Sequence, residues 1–264
     1  ENMDNSDLVR NWGYIAPGED CHYYSNRGGH CFGELIGVLV LDSWLPIPPG
    51  HVDHAGTFDF PVLYMDVNGA NQKKVHGGET SILDNIIEAA QQLERHGCRA
   101  ICADCGYFGN FQQEVAASVS IPVYLSSVIQ VPWIRVALRP DQKIGVICGD
   151  APHLTYKLFE SCGVSQEDYD RCVIAGLQDE PEFYKFDKNV GNFDSAKVRA
   201  EVVGVAKRMQ EEHPDIGAIL LECTDLPPYA ASIQAATNLP VYDVIGMVKY
   251  AHHAIAQRAY GGFV

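Results

Sequence analysis

Basic residues are scarce in this chain. Its 264 residues include 19 Lys and Arg against 34 Asp and Glu, a formal net charge of −15. Such a balance repels phosphate backbones and anionic lipid surfaces, so nucleic-acid and membrane partners are not expected. A small anion is not excluded, because clustered backbone N–H groups can hold one inside an acidic protein. Long apolar runs are also missing: none approaches the length that spans a bilayer, and Glu1 to Arg10 are polar rather than an apolar secretory core. A cytoplasmic location is the expectation, a removed targeting segment aside. No second CxxC follows Cys102-x-x-Cys105, which argues against a zinc site, and the tryptophan-bearing turn of a thioredoxin is absent. The nine cysteines are an odd number in a chain too large to need disulfide staples, so they read as reduced thiols.

What is present is a duplication. Ile36-Gly37-Val38-Leu39-Val40-Leu41-Asp42-Ser43 corresponds to Ile144-Gly145-Val146-Ile147-Cys148-Gly149-Asp150, and both read as buried parallel strands. Ala100-Ile101-Cys102-Ala103-Asp104-Cys105 corresponds to Ala218-Ile219-Leu220-Leu221-Glu222-Cys223. Pro122-Val123-Tyr124 begins 17 positions after Cys105, and Pro240-Val241-Tyr242 begins 17 positions after Cys223. Three matches in one order, with one spacing identical, indicate a repeated α/β unit.

Helical spacing fills the intervals. Ile82, Ile86, Ile87 and Ala90 form one face of Thr80 to His96, with Thr80 or Ser81 as N-cap, and Val198, Val202, Val205, Ala206 and Met209 form one face of Ser195 to His213. Strands alternating with helices predict an α/β fold of two pseudo-twofold-related domains, each a parallel sheet flanked by helices. The expected division is an N-terminal extension over 1–33, a first domain over 34–135 joined by 241–264, and a second over 136–240. The segment from Pro46 to Val67, with Pro48-Pro49-Gly50, Thr57 and Phe60-Pro61-Val62, reads as a lid.

Ligands in open α/β sheets bind beyond the carboxyl ends of the strands, where Cys105 and Cys223 fall. The turns that follow, Gly106-Tyr107 and Thr224-Asp225, would point backbone N–H groups at a carboxylate and at the enediolate formed when a proton leaves the neighbouring carbon. A thiolate at a helix start serves as the base, and two thiols on opposite faces allow removal on one side and return on the other. Either cysteine alone would read as core packing. Their matched places in a repeat make them the catalytic pair.

The paired cysteines, Asp42-Ser43 after the first strand and Cys223-Thr224 followed by proline resemble the aspartate/glutamate racemase superfamily from about Glu34 onward. That group includes aspartate, glutamate and hydantoin racemases, maleate isomerase, arylmalonate decarboxylase and algal-type dimethylsulfoniopropionate lyase. The resemblance implies no pyridoxal phosphate, no metal or other cofactor, Cys105 and Cys223 in the catalytic positions, and Asp42, Ser43 and Thr224 among the substrate contacts. Amino-acid racemases of the group commonly follow the first cysteine with Asn-Thr and the second with Thr-His. Here Gly106-Tyr107 and Thr224-Asp225 stand instead.

Other residues read more plainly. Cys102 is a core residue, since positions three apart on a strand face opposite sides. Asp104 and Glu222, each preceding a strand-end cysteine, should face away from it. His51, Asp53 and His54 sit in a polar Pro/Gly-rich loop that collects such residues without a metal, and His252 and His253 read as exposed or packed. Trp44 and Tyr107 flank the turns as walls or as aromatic contacts for a cation. The leading expectation is a racemase or isomerase acting beside the carboxylate of a small acid. The alternative is a lyase releasing dimethyl sulfide from dimethylsulfoniopropionate, and a non-catalytic ligand-binding protein is the third. The partner is a small carboxylate, with a homo-oligomer left open.

Overall fold

The computed structural model describes residues 14–20 and 32–263. Most of the expected N-terminal extension therefore lies outside the described residues. The elements run in order β1 (Ile36–Val40), β2 (Val62–Asp66), α1 (Gln72–His76), α2 (Leu83–His96), β3 (Ala100–Ala103), α3 (Gln112–Ser118), β4 (Val123–Tyr124) and α4 (Val131–Ala137). They continue as β5 (Lys143–Cys148), α5 (Tyr156–Ser161), α6 (Gln166–Tyr169), β6 (Cys172–Gly176) and α7 (Tyr184–Asp187). The last are α8 (Ser195–Glu212), β7 (Ile216–Leu221), α9 (Ala230–Thr237), β8 (Val241–Tyr242) and α10 (Val244–Ile255).

Two four-stranded parallel sheets result, ordered β2-β1-β3-β4 and β6-β5-β7-β8. The duplication holds down to register: Ile101 and Cys102 pair with Val123 and Tyr124, as Ile219 and Leu220 pair with Val241 and Tyr242. Glycine recurs at the second position of the repeated Ile-Gly-Val for one reason in both halves. A Cβ on Gly37 would meet Leu93 of α2 at 2.8 Å, and one on Gly145 would meet Met209 of α8 at 2.3 Å. The missing side chain lets each helix close onto its central strand.

Helix α8 buries the predicted face, Val198, Val202, Val205, Ala206 and Met209, and Asp194 caps it by accepting from the N–H groups of Ala196 and Lys197. At the equivalent helix the expected cap is not found. Thr80–Ile82 is a 3₁₀ turn, α2 starts at Leu83 without a side-chain cap, and Ser81 Oγ bonds Glu79 instead. The tighter turn carries Thr80 and Ser81 away from the position where a cap would reach.

The halves exchange helices. β8 pairs with β7, so Val241 and Tyr242 belong to the second sheet, and only α10 returns to pack on β3. Reciprocally, α4 of the first half packs on β5 and α6. Val244, Met247, Val248 and Ala251 of α10 join Ile36, Val38, Ala100 and Cys102 in one core cluster, so Cys102 is the packing residue its position suggested.

The lid reading is corrected in part. Its end, Val62–Asp66, is strand β2, and the rest is wedged in place, with His51 and Val52 buried and Gly50 at positive φ against Pro228. Phe60 stacks on His252 at 3.6 Å between ring centroids. No helix among the described residues is long and apolar enough to cross a membrane.

Candidate active site

β3 and β7 end one residue before an acidic residue, and the chain then turns. Asp104 N–H still bonds the carbonyl of Leu39, and Glu222 N–H that of Ile147, which aligns the two strand ends in the same way. Cys105 and Cys223 follow, and both line one cavity between the sheets. With them are Ser43, Gly106, Tyr107, Thr224 and Asp225. Asp42 is not among these residues. A tight turn, in which Ser43 N–H bonds Leu41 carbonyl, carries it to an outer depression beside Asp66 and Asn68.

The thiols share one local design. The backbone N–H of Tyr107 approaches Cys105 and that of Asp225 approaches Cys223, each two residues on, and each bond favours a thiolate. Burial opposes it and dominates, helped by Asp104 and Glu222 at Cys105 and by Asp225 and Glu222 at Cys223. Both therefore stay well above the ordinary thiol range. The pair differs in one respect. Cys223 Sγ donates to Asp225 Oδ2 at 3.4 Å, and Asp225 Oδ1 lies 3.2 Å from His51 Nε2.

His51 was read from sequence as a loop histidine. It is buried, and its Nδ1 accepts the Asp53 N–H at 3.0 Å, which assigns the ring proton to Nε2 and hence to Asp225. Burial disfavours a charged ring, yet the hydrogen bond and charge of Asp225, with the charge of Asp53, raise its pKa overall. His54 turns elsewhere, accepting from Gly56 N–H at 3.1 Å, so the three polar loop residues do not share a ligand position.

Asp104 corrects the sequence reading, because strand alternation stops at Ala103. Asp104 lines the cavity, accepts the Leu41 N–H at 2.8 Å, and is driven towards the protonated form by burial, then by the nearby charge of Asp53. It shares a hydrogen bond with Asp53 and holds the proton of that pair. Glu222 is wholly buried, and neither of its carboxyl oxygens has a hydrogen-bond partner among the described residues. Burial, then the charges of Asp150 and Asp225, push its pKa up to about 8. A Cβ on Gly106 would meet Glu222 Oε1 at 2.1 Å, so glycine after Cys105 makes room for that carboxyl.

Cross-links hold the halves together here. Tyr107 hydroxyl donates to the Asp150 carbonyl at 2.6 Å and accepts the Asp150 N–H at 3.0 Å, while Thr224 Oγ1 donates to the Asp104 carbonyl. Tyr107 is thus a buried wall residue, whereas Trp44 stands exposed against Gly191. Sequence reasoning missed His76, Phe183 and Phe186, which also line the cavity. Asp150 had a signal, being the repeat partner of Asp42. The two phenylalanines, at α7, had none.

The sequence matches the Asp/Glu/hydantoin racemase family over residues 76–248. This chain belongs to that family. Within it, the chain is 36% identical over 218 residues to a dimethylsulfoniopropionate lyase of Durusdinium sp. clade D, covering 80% of this chain and 71% of the relative. It is 34% identical to dimethylsulfoniopropionate lyase 7 of Emiliania huxleyi, covering 81% of this chain and 65% of the relative. Allantoin racemase from Klebsiella pneumoniae shares the fold, with a TM-score of 0.59 at 13% identity over 83% of this chain and 86% of that one. The racemase-family chain described here is an enzyme of that superfamily.

Proposed function

We propose that this enzyme eliminates dimethyl sulfide from dimethylsulfoniopropionate, leaving acrylate. The observation that carries the reading is the character of the cavity. Asp53, Asp104 and Asp225 stand around the two thiols with Tyr107, Phe183 and Phe186, and none of the described lining residues is lysine or arginine. The Asp53–Asp104 pair, sharing one proton, keeps one negative charge, and that charge and the aromatic faces favour a cation taken out of water. Dimethylsulfoniopropionate brings one sulfonium and one carboxylate. A dicarboxylic amino acid brings a second anion, and His51 of this wall is already engaged with Asp225. The similarity to lyases that act on this sulfonium supports the same assignment.

In this reading Cys223 is the base. Its thiol proton already points at Asp225, which takes it as the thiolate forms, and the Asp225 N–H steadies the sulfur. The thiolate then removes a proton from the carbon beside the carboxylate. That electron pair becomes the carbon–carbon double bond, and the carbon–sulfur bond breaks with its electrons leaving on neutral dimethyl sulfide. Cys105, contributed by the other half, orients the substrate, and the backbone N–H groups of Gly106 and Thr224, at the start of the two turns, hold the carboxylate.

The test follows elimination, exchange and inversion together by NMR in deuterated water with a panel of small acids. Wild type should release dimethyl sulfide from dimethylsulfoniopropionate. Cys223→Ser should lower that rate about 10²–10⁴-fold, and Cys105→Ser should lower it less. The near-symmetric thiol pair favours a second reading, stereoinversion. Inversion of an amino acid by wild type, abolished equally in both variants and with no dimethyl sulfide released, would establish it in place of the first.

A further inference from the structure

At the rim of the cavity three side chains meet that the elimination does not use. His76 ends α1, Asp150 follows β5, and His153 closes the 3₁₀ turn Ala151–His153. His76 Nδ1 lies 3.6 Å and His153 Nδ1 2.7 Å from the same oxygen, Asp150 Oδ2. One ligand atom from each residue lies within 4.8 Å of the other two. We propose that His76, Asp150 and His153 bind one divalent transition-metal ion.

Geometry and chemistry both support this. A tetrahedral ion with bonds of about 2.1 Å spaces its ligand atoms about 3.4 Å apart. Reaching that spacing needs His153 to withdraw from Asp150, from 2.7 Å to about 3.4 Å, and the two imidazole nitrogens to settle at a similar spacing from within 4.8 Å. Two imidazoles and one carboxylate suit zinc, nickel or cobalt rather than magnesium or calcium, which take oxygen ligands. The set is also oriented in advance. The His76 ring is buried and packs at a tilt against Tyr107, 3.9 Å between centroids, and the Asp150 backbone grips the Tyr107 hydroxyl from both sides. His153 is about half exposed, which leaves an entry path and an outward position for water.

The ion ties together the two residues that grip Tyr107. Its role is therefore to stabilise and regulate the cavity wall, apart from the proton transfer that the proposed function gives to Cys223 and Asp225. Binding is a property of the folded protein whatever its substrate, so its test stands apart from the elimination reading.

The experiment uses tag-free, chelator-treated protein titrated with nickel or cobalt by calorimetry, with thermal unfolding followed in parallel. One equivalent should bind, and the unfolding temperature should rise with metal concentration. His153→Ala removes an exposed ligand outside the cavity, so it should keep the metal-free activity while losing at least about tenfold in affinity. No binding, equal affinity in His153→Ala, or a cobalt spectrum with thiolate charge-transfer bands, meaning cysteine ligation, would each overturn the proposal.

Discussion

Replacing Glu222 with glutamine keeps the shape of the side chain and removes its ability to ionise. The wild-type carboxyl is wholly buried without a hydrogen-bond partner among the described residues and ionises at about 8, against 4.5 for an ordinary glutamate. Between these values the unfolded chain has released the proton and the folded chain still holds it. A group whose folded pKa is raised in this way costs stability as pH rises from the unfolded value, and the loss is complete at the folded one. The wild-type folding equilibrium should therefore fall about tenfold per pH unit relative to Glu222→Gln, a total swing of about 5 kcal/mol. Both proteins would be unfolded in urea at several values between about pH 5 and pH 8, at constant salt, and their free energies subtracted. Titration of every other group largely cancels in that difference. Parallel stability curves across this window would show that Glu222 is ionised in the fold and that its burial does not hold the proton.

Two further substitutions test the site. Gly106→Ala places a Cβ against Glu222 Oε1 and its backbone oxygen, which lie 2.1 and 2.6 Å from the new atom. It should cost about 1–3 kcal/mol by chemical denaturation and disable the enzyme, since the turn after Cys105 must shift. Stability and activity equal to wild type would mean that Glu222 moves freely, contrary to its enclosure. Asp225→Asn removes the acceptor of the Cys223 proton together with a charge that raises the Cys223 pKa. Turnover at neutral pH should drop about 10²-fold or more and recover as pH rises and the thiol ionises unaided. A loss that is independent of pH would assign Asp225 to substrate binding instead.

The repeat, the two cysteines and the buried face of α8 were legible in the sequence, because each depends on local periodicity or on spacing along the chain. Strand ends could be placed on the same basis, and with them the turns at Gly106 and Thr224. The crossing of α4 onto the second sheet was not legible. That helix could equally cover the sheet of its own half, and only the assembled pair of sheets decides which surface it buries. For the same reason Asp104 was assigned to the wrong face: alternation along a strand predicts direction only while the strand lasts, and Asp104 lies just beyond it, lining the cavity. His51 and Asp53 could be seen as chemistry-bearing residues in a loop, but nothing near them in the chain shows that Asp225 will be the partner. Phe183 and Phe186 belong to a largely charged stretch, Asp179 to Lys188, whose neighbours along the chain say nothing of a cavity. Chain-local forces set the strands, the helices and the turns that carry the thiols. Burial at the junction of the two sheets decided which carboxyls keep their protons and which thiol gained a carboxylate acceptor, because desolvation and charge act through space and take no account of sequence separation.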